Sequence, residues 1–413
     1  MTSLAALRRP VVGRLGLAGL LSEAGDWMLL VALPLHVLAL TGSALGTATV
    51  LVLELVPTVV LGPFAGVLVD RCDQWRLLTG ACLAQAAGLA PLLLVDGAGD
   101  LWVVYVVVIV QSTLATVVEP ARISIAAAVV PEDARMEVNG ALALTAGLAR
   151  LVGGPLGGVL LGIGGLPAIV AGDAASFLAA AVVLTVRRRP SPAAPLPAGL
   201  RPPAAPGAWL AGVRDLTASP ALRRLTVVLV LGGLAQGAFV VLFVLFVVRD
   251  LQAGPADVGL LRGVQAIGTL AGALLLGRLM RQLSPRVVLA GSCTAFGLLS
   301  LVTWNGPLVT TALGVYVGPF IAVGVPGLAA TSSQATLLQT HTAPLTRGRV
   351  VAAVLAVYGG AQAAGMLVAG LVGTGAALTA ALQVQGCAYL LAGLVALRVP
   401  AAAVTTCGRP HVV

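Results

Sequence analysis

Residues 45–95 read LGTATVLVLELVPTVVLGPFAGVLVD, then RCDQWR, then LLTGACLAQAAGLAPLLLV. Glu54 is the single charge between 45 and 69, and residues 77–95 carry none. A helix rises about 1.5 Å per residue, so about 20 apolar residues cross the hydrocarbon core of a bilayer. The stretch therefore predicts two membrane-spanning helices joined by a short charged turn, Asp70 to Arg76.

The same alternation continues in both directions. Twelve apolar spans are predicted, at about 15–40, 45–69, 77–95, 101–120, 139–162 and 166–186, then 225–248, 257–277, 286–304, 308–330, 350–373 and 377–397. The fifth contains Arg150 and many glycines, and the tenth contains Pro319 and Pro326. Composition agrees, with 59% of residues hydrophobic and 9% charged, where an ordinary soluble domain carries roughly 25% charged. At a mean hydropathy of +1.04 there is too little polar surface to coat a soluble globule of this size. The expected class is an all-α membrane protein of twelve transmembrane helices, with the lipid bilayer as its solvent.

Charge placement sets the orientation. The net charge is +9, and all 24 basic residues are arginine. Nucleic-acid binders gather such charge on one face and interleave aromatics; here aromatics are 4% and the arginines sit in short clusters between apolar runs, so no nucleic-acid partner is expected. On the predicted map 21 arginines fall at the termini and in alternate loops, among them Arg135, Arg187, Arg281, Arg286 and Arg347. Arg249 falls on the opposite side, and Arg150 and Arg262 lie within helices. Arginine remains on the cytoplasmic side of a membrane, so both termini are expected inside an inner (plasma) membrane. The short external loops carry Asp96, Asp100, Asp250 and Asp257.

Several other classes are excluded. The apolar run after Arg8, Arg9 and Arg14 continues to about Leu40 without a clean cleavage site, so it reads as a first spanning helix and not a signal peptide. Cys72, Cys82, Cys293, Cys387 and Cys407 are scattered, with no spacing for metal or redox chemistry. A nucleotide-binding loop needs a lysine, and the chain has none. No enzyme, metal or cofactor is expected.

Residues 187–224 break the pattern. Arg187-Arg188-Arg189-Pro190 leads into a Pro/Ala-rich stretch, which reads as a linker. Trp209, Leu210, Val213 and Leu216 share a helical face, so that part is suited to lie along the membrane surface. The predicted organisation is a six-helix bundle over 1–186, this cytoplasmic linker over 187–224, and a second six-helix bundle with a short tail over 225–413. The bundles echo one another at an offset of about 210 residues: Gly66 to Arg71 and Arg76 match Gly277 to Arg281 and Arg286, and Pro131 to Arg135 match Pro344 to Arg347. Such repeats build a midplane site between two rocking halves in secondary transporters.

The turn motif Gly66-x-x-x-Asp70-Arg71-x-Asp73-x-x-Arg76 resembles the loop between helices two and three of the major facilitator superfamily. Further stretches are similar to its drug:proton antiporter branch, which includes macrolide-efflux proteins and the enterobactin exporter. They are Gly25-Asp26-Trp27 with Ala32 to Leu35, Leu40-Thr41-Gly42-Ser43, Pro120-Ala121-Arg122, and Ala149-Arg150 before Gly153 to Gly158. Gln74-Trp75 depart from the motif, where basic residues are usual, and Arg150 occupies a glycine position of the helix-five motif. The resemblance implies a cytoplasmic latch at Gly66, Asp70, Arg71, Asp73 and Arg76, the alternative being a solvated turn that enforces topology.

Charges buried in a bilayer cost at least about 2.5 kcal/mol each, so they face a cavity or a partner. Glu23, Asp26, Glu54 and Asp173 are the embedded acids, and Arg150 and Arg262 the embedded bases. Asp26 with Glu23 or Glu54 is expected to exchange protons, with Arg150 as counter-charge; a static ion pair to Arg150 is the alternative. At the 210-residue offset Gln236 stands for Asp26 and Gln265 for Glu54, so the second half is expected to supply substrate contacts. Arg262 either joins them or extends to the interface. Gly153, Gly154, Gly157 and Gly158 around Pro155 predict close packing and flexing of helix five. The function expected is export of a small, partly apolar molecule (a drug, antibiotic or siderophore-like metabolite) by proton antiport, by a monomer. The alternatives are a lipid or solute carrier of the same fold and a non-transporting membrane sensor or scaffold.

Overall fold

The computed structural model describes residues 6–131, 134–185, 214–217, 219–343, 346–373 and 375–400, without the side chains at 63, 67, 127, 274–281 and 376. Among the described residues there is no strand. The first helices are α1 (Pro10–Thr41), α2 (Ala44–Arg71), α3 (Gln74–Gly88, continued by a tighter turn Ala90–Leu94) and α4 (Leu101–Val129). A continuous segment Arg135–Thr185 follows. At about 1.5 Å per residue it would extend about 75 Å, more than twice a hydrocarbon core. Gly165 breaks it at φ 62°, ψ −158°, a conformation that glycine adopts at little cost. The segment is therefore two helices, α5 (135–164) and α6 (166–185).

The chain continues with α7 (Pro220–Leu245, extended by a wider turn Phe246–Asp250), α8 (Pro255–Gln282) and α9 (Pro285–Asn305). It ends with α10 (Leu313–His341), α11 (Arg347–Val372) and α12 (Ala376–Leu397). Ten segments among the described residues are long and apolar enough to cross a membrane, with Arg135–Thr185 counted once. Dividing that segment and adding the 28 residues of α8 is consistent with the twelve predicted spans. Most of the predicted linker and surface helix, and the tail with Cys407, lie outside the described residues.

Local chemistry sets the turns. Gly42 ends α1 at φ 64° with its N–H on the Leu38 carbonyl, and Ser43 opens α2 by accepting from the Gly46 N–H. Asp73 caps α3 by accepting from the Arg76 N–H at 3.0 Å. These caps satisfy groups that a helix end leaves orphaned. Two boundaries need correction. The tenth span, expected at about 308–330, is α10 and runs to His341. The fourth span was expected to stop near residue 120, with Arg122 in a loop; α4 instead runs to Val129 and Arg122 is 5% exposed. Hydropathy reads a charge as a helix end, but this one is neutralised inside by acids.

The two ends of the bundle are built differently. At the end remote from the arginine-rich turns, one apolar core joins both halves of the chain: Leu35, Leu38, Ala48 and Leu51 pack with Phe243, Phe246, Val258, Leu261, Trp304 and Phe320. At the arginine-rich end there are two cores, one drawn wholly from residues 6–184 and one wholly from 216–399. The halves are fused by hydrophobic burial at the far end and packed separately at the other.

Candidate functional site

Helix α5 brings the halves together. A Cβ on Gly153 would lie 2.8 Å from Trp27 Cβ, and one on Gly157 would lie 2.6 Å from the Met28 carbonyl oxygen, so this face sits directly on α1. A Cβ on Gly154 would lie 3.0 Å from the Gly259 carbonyl oxygen, and one on Gly158 would run into Pro255, so the adjacent face sits on α8. Pro155 packs against Gly263 between them. Small residues allow this backbone approach.

Two cavities flank the junction. The first, about 370 Å³, is bounded by α1, α2 and α4 of the first half and α7, α8 and α11 of the second. Its walls are largely aliphatic, including Leu29, Leu33, Val50, Leu55, Val108 and Met366, with Asp26, Glu54, Arg262, Gln111 and Gln362 among them. The second, about 570 Å³, is lined by Glu23, Trp27, Glu119, Arg122, Asn139 and Arg150. Trp27, on the second cavity, stands near a cation of each: the Arg150 guanidinium lies 4.8 Å and that of Arg262 5.9 Å from the centre of its ring. Cations are attracted to an indole face at such distances.

The predicted charged residues are thus divided. Glu23 was expected to exchange protons with Asp26, but Asp26 borders the first cavity and Glu23 the second. Glu23 accepts from Arg122, which also pairs with Glu119 at 2.5 Å. Arg150, expected as counter-charge to the acids, instead donates to Gln265 Oε1 at 2.6 Å across the two halves. Arg262 reaches the first cavity rather than the interface. Gln236, expected in the cavity, accepts from the Tyr389 hydroxyl at 2.9 Å. Neither Gln236 nor Gln265 is among the residues lining the first cavity; Gln362 is. Asp173 is 1% exposed and lies behind α1, against Gly25.

Arg122 and Gln362 carry polar chemistry that the sequence reading did not assign. Pro120-Ala121-Arg122 was visible as a motif but not as a buried ion pair. Gln362, shifted by the internal offset of about 210, falls beside Arg150, and that correspondence was the available signal.

In the turn motif Gly66 is exposed, and Asp70 and Arg71 make no hydrogen bond or ion pair with another described residue. Asp73 holds Arg76 at 3.6 Å, Gln74 donates to Ser124 Oγ at 2.7 Å, and Arg14 lies 5.0 Å over the Trp75 ring. At the far end Arg249 closes the structure. Its Nη1 donates to the Gly373 carbonyl at 2.8 Å and its Nη2 to the Gly42 carbonyl at 3.0 Å. It thereby ties the end of α7 to the C-termini of α11 and α1, where carbonyls and helix dipole both favour a cation.

A sequence profile described as Major Facilitator Superfamily matches residues 15–344. The chain belongs to this superfamily. It is 26% identical over 403 residues to the multidrug efflux pump Tap of Mycolicibacterium fortuitum, covering 93% of this chain and 94% of that one. It is 29% identical over 349 residues to the enterobactin exporter EntS of Salmonella typhimurium, covering 81% and 78%. The fold is similar to that of a bacterial homologue of the iron transporter ferroportin in its inward-facing state, with a TM-score of 0.71 at 16% identity over 94% of this chain and 98% of that chain. The superfamily and the helices together make this a multi-pass membrane transporter.

Proposed function

We propose that this superfamily member exports a small, partly apolar molecule in exchange for protons, by alternating access between two six-helix halves. The observation that carries the reading is the first cavity: an aliphatic chamber between the halves that holds Asp26, Glu54 and Arg262. A scaffold has no need of such charges in an apolar chamber. With both termini cytoplasmic, the fused far end is external and the separately packed end internal, which is an inward-facing arrangement. Asp70 and Arg71 are then the released half of an inner latch. The efflux activities in the names of Tap and EntS agree in direction.

The direct test is a substrate panel in inverted vesicles, with and without an imposed pH gradient. Gradient-dependent uptake of any apolar drug or siderophore-like compound is the expected result. Uptake independent of the gradient would remove proton coupling, and movement of lipid alone would make the protein a lipid carrier.

Two further outcomes follow. Asp70→Asn is expected to slow turnover several-fold with substrate affinity unchanged, read by transport rates beside equilibrium binding. An equal loss of affinity would place Asp70 in a binding site. Arg249→Gln removes two charge-assisted hydrogen bonds, each worth about 1.5 kcal/mol or more. It should therefore shift the population toward the far-end-open state by at least about tenfold. Distances between spin labels on the α1–α2 and α7–α8 turns report the shift, and an unchanged distribution would show that Arg249 is not a lock.

A further inference from the structure

The charges of the first cavity are unspent. Asp26, Glu54 and Arg262 all line it, and none makes a hydrogen bond or ion pair with another described residue. Arg262 is held by rings instead: its guanidinium lies 5.9 Å from the centre of Trp27 and 5.8 Å from those of Phe239 and Phe243. Aromatic faces attract a guanidinium without consuming its five N–H donors. Gln111, on the same wall, is 6% exposed. Its Nε2 donates to the Gln85 carbonyl at 2.8 Å, and its Oε1 is buried without a partner. By contrast Glu23, Glu119, Arg122, Arg150 and Arg249 each meet a protein partner. The unused donors and acceptors thus border one aliphatic chamber.

This pattern selects among ligands. A neutral apolar molecule would leave three desolvated charged groups without partners. A simple cation would satisfy the acids and be repelled by Arg262. A simple anion would satisfy Arg262 and face two carboxyls. A group that binds in a site built for charge must meet each charge, because polar groups left unpaired on binding cost affinity. We infer that the substrate is a zwitterion with an apolar body, whose carboxylate-like group is taken by Arg262 and whose ammonium is taken by Glu54. Asp26 is then left to hold the exchanged proton. Glu54 is assigned to the ammonium because Asp26 is reserved for the exchanged proton, and Glu54 and Arg262 line the same chamber. The inference rests on reading this cavity as the export site.

The test uses four probes with one fluorophore. Nε-dansyl-lysine carries both charges, its methyl ester only the ammonium, its Nα-acetyl derivative only the carboxylate, and the Nα-acetyl methyl ester neither. Binding to the purified protein is read from dansyl fluorescence, and transport in proteoliposomes under a pH gradient. The zwitterion should bind about tenfold tighter than either singly charged form. Arg262→Gln should bring the zwitterion and its methyl ester to equal affinity, while Arg262→Lys, which keeps a cation, should retain the preference. Glu54→Gln should bring the zwitterion and the acetylated form to equal affinity. Equal wild-type affinities, no binding of any probe, or a uniform loss in Arg262→Gln would each overturn the inference. Gradient-driven movement of the ester or the neutral probe would still leave the exporter reading standing. Failure of all four to move would count against both.

Discussion

Asp26→Asn is expected to abolish proton-driven accumulation while leaving downhill exchange of substrate largely intact. Asparagine keeps the size and hydrogen-bonding capacity of the side chain but cannot release a proton. A pH difference of one unit supplies about 1.4 kcal/mol per proton, or about tenfold in accumulation. In inverted vesicles the mutant's accumulation ratio should therefore fall to one, with the rate of substrate counterflow preserved. Two features set Asp26 apart from Glu23. It lines the chamber between the halves, and it has no cation bound to it, whereas Glu23 is committed to Arg122. Proton release on substrate addition should vanish in the mutant and persist in Glu23→Gln. Accumulation by Asp26→Asn that still follows the gradient would make this acid structural.

The architecture was legible because its cause is repetitive. Each crossing needs about 20 apolar residues, and alternate turns carry their own arginine signal, as in Asp70 to Arg76. Ser43, Asp73 and Gly42 cap helix ends on equally local grounds, since their function depends on two or three neighbours. Gly165 sits in the break predicted between the spans at 139–162 and 166–186. Without a charge to mark it, it turns one continuous apolar run into two helices.

The site was legible as an inventory and illegible as a wiring diagram. Depth along a helix singled out Glu23, Asp26, Glu54, Asp173, Arg150 and Arg262, and all but Asp173 border one of the two cavities. Which acid meets which arginine depends on helix rotation and on α5–α8 packing, and one sequence encodes neither in a local pattern. Thus Arg150 crosses to Gln265, and Glu23 turns to a residue that hydropathy had placed in a loop. Residues three apart on a helix are displaced by about 60°. That displacement is enough to give Glu23 and Asp26 to different cavities.

The same correction yields the largest expected effect on stability. The Arg122 side chain is 6% exposed and pairs with Glu23, at 22%, and Glu119, at 57%. Helix α1 makes room for it at Gly19, where a Cβ would run into the guanidinium. Replacement by Met keeps the volume but leaves the Glu23 carboxylate without a cation in a mostly desolvated position. Breaking such a pair from one side costs about 3 kcal/mol, because the remaining charge is stranded. Arg122→Met should therefore lower the melting temperature in detergent, and Arg122→Lys should lower it less. Glu23→Gln on the Arg122→Met background removes the stranded charge and should recover a large part of the loss, a non-additive result. Glu119→Gln should recover little, since that acid is solvated. A melting temperature unchanged in Arg122→Met, or a double mutant no more stable than the single, would show that the pair does not hold α1 to α4.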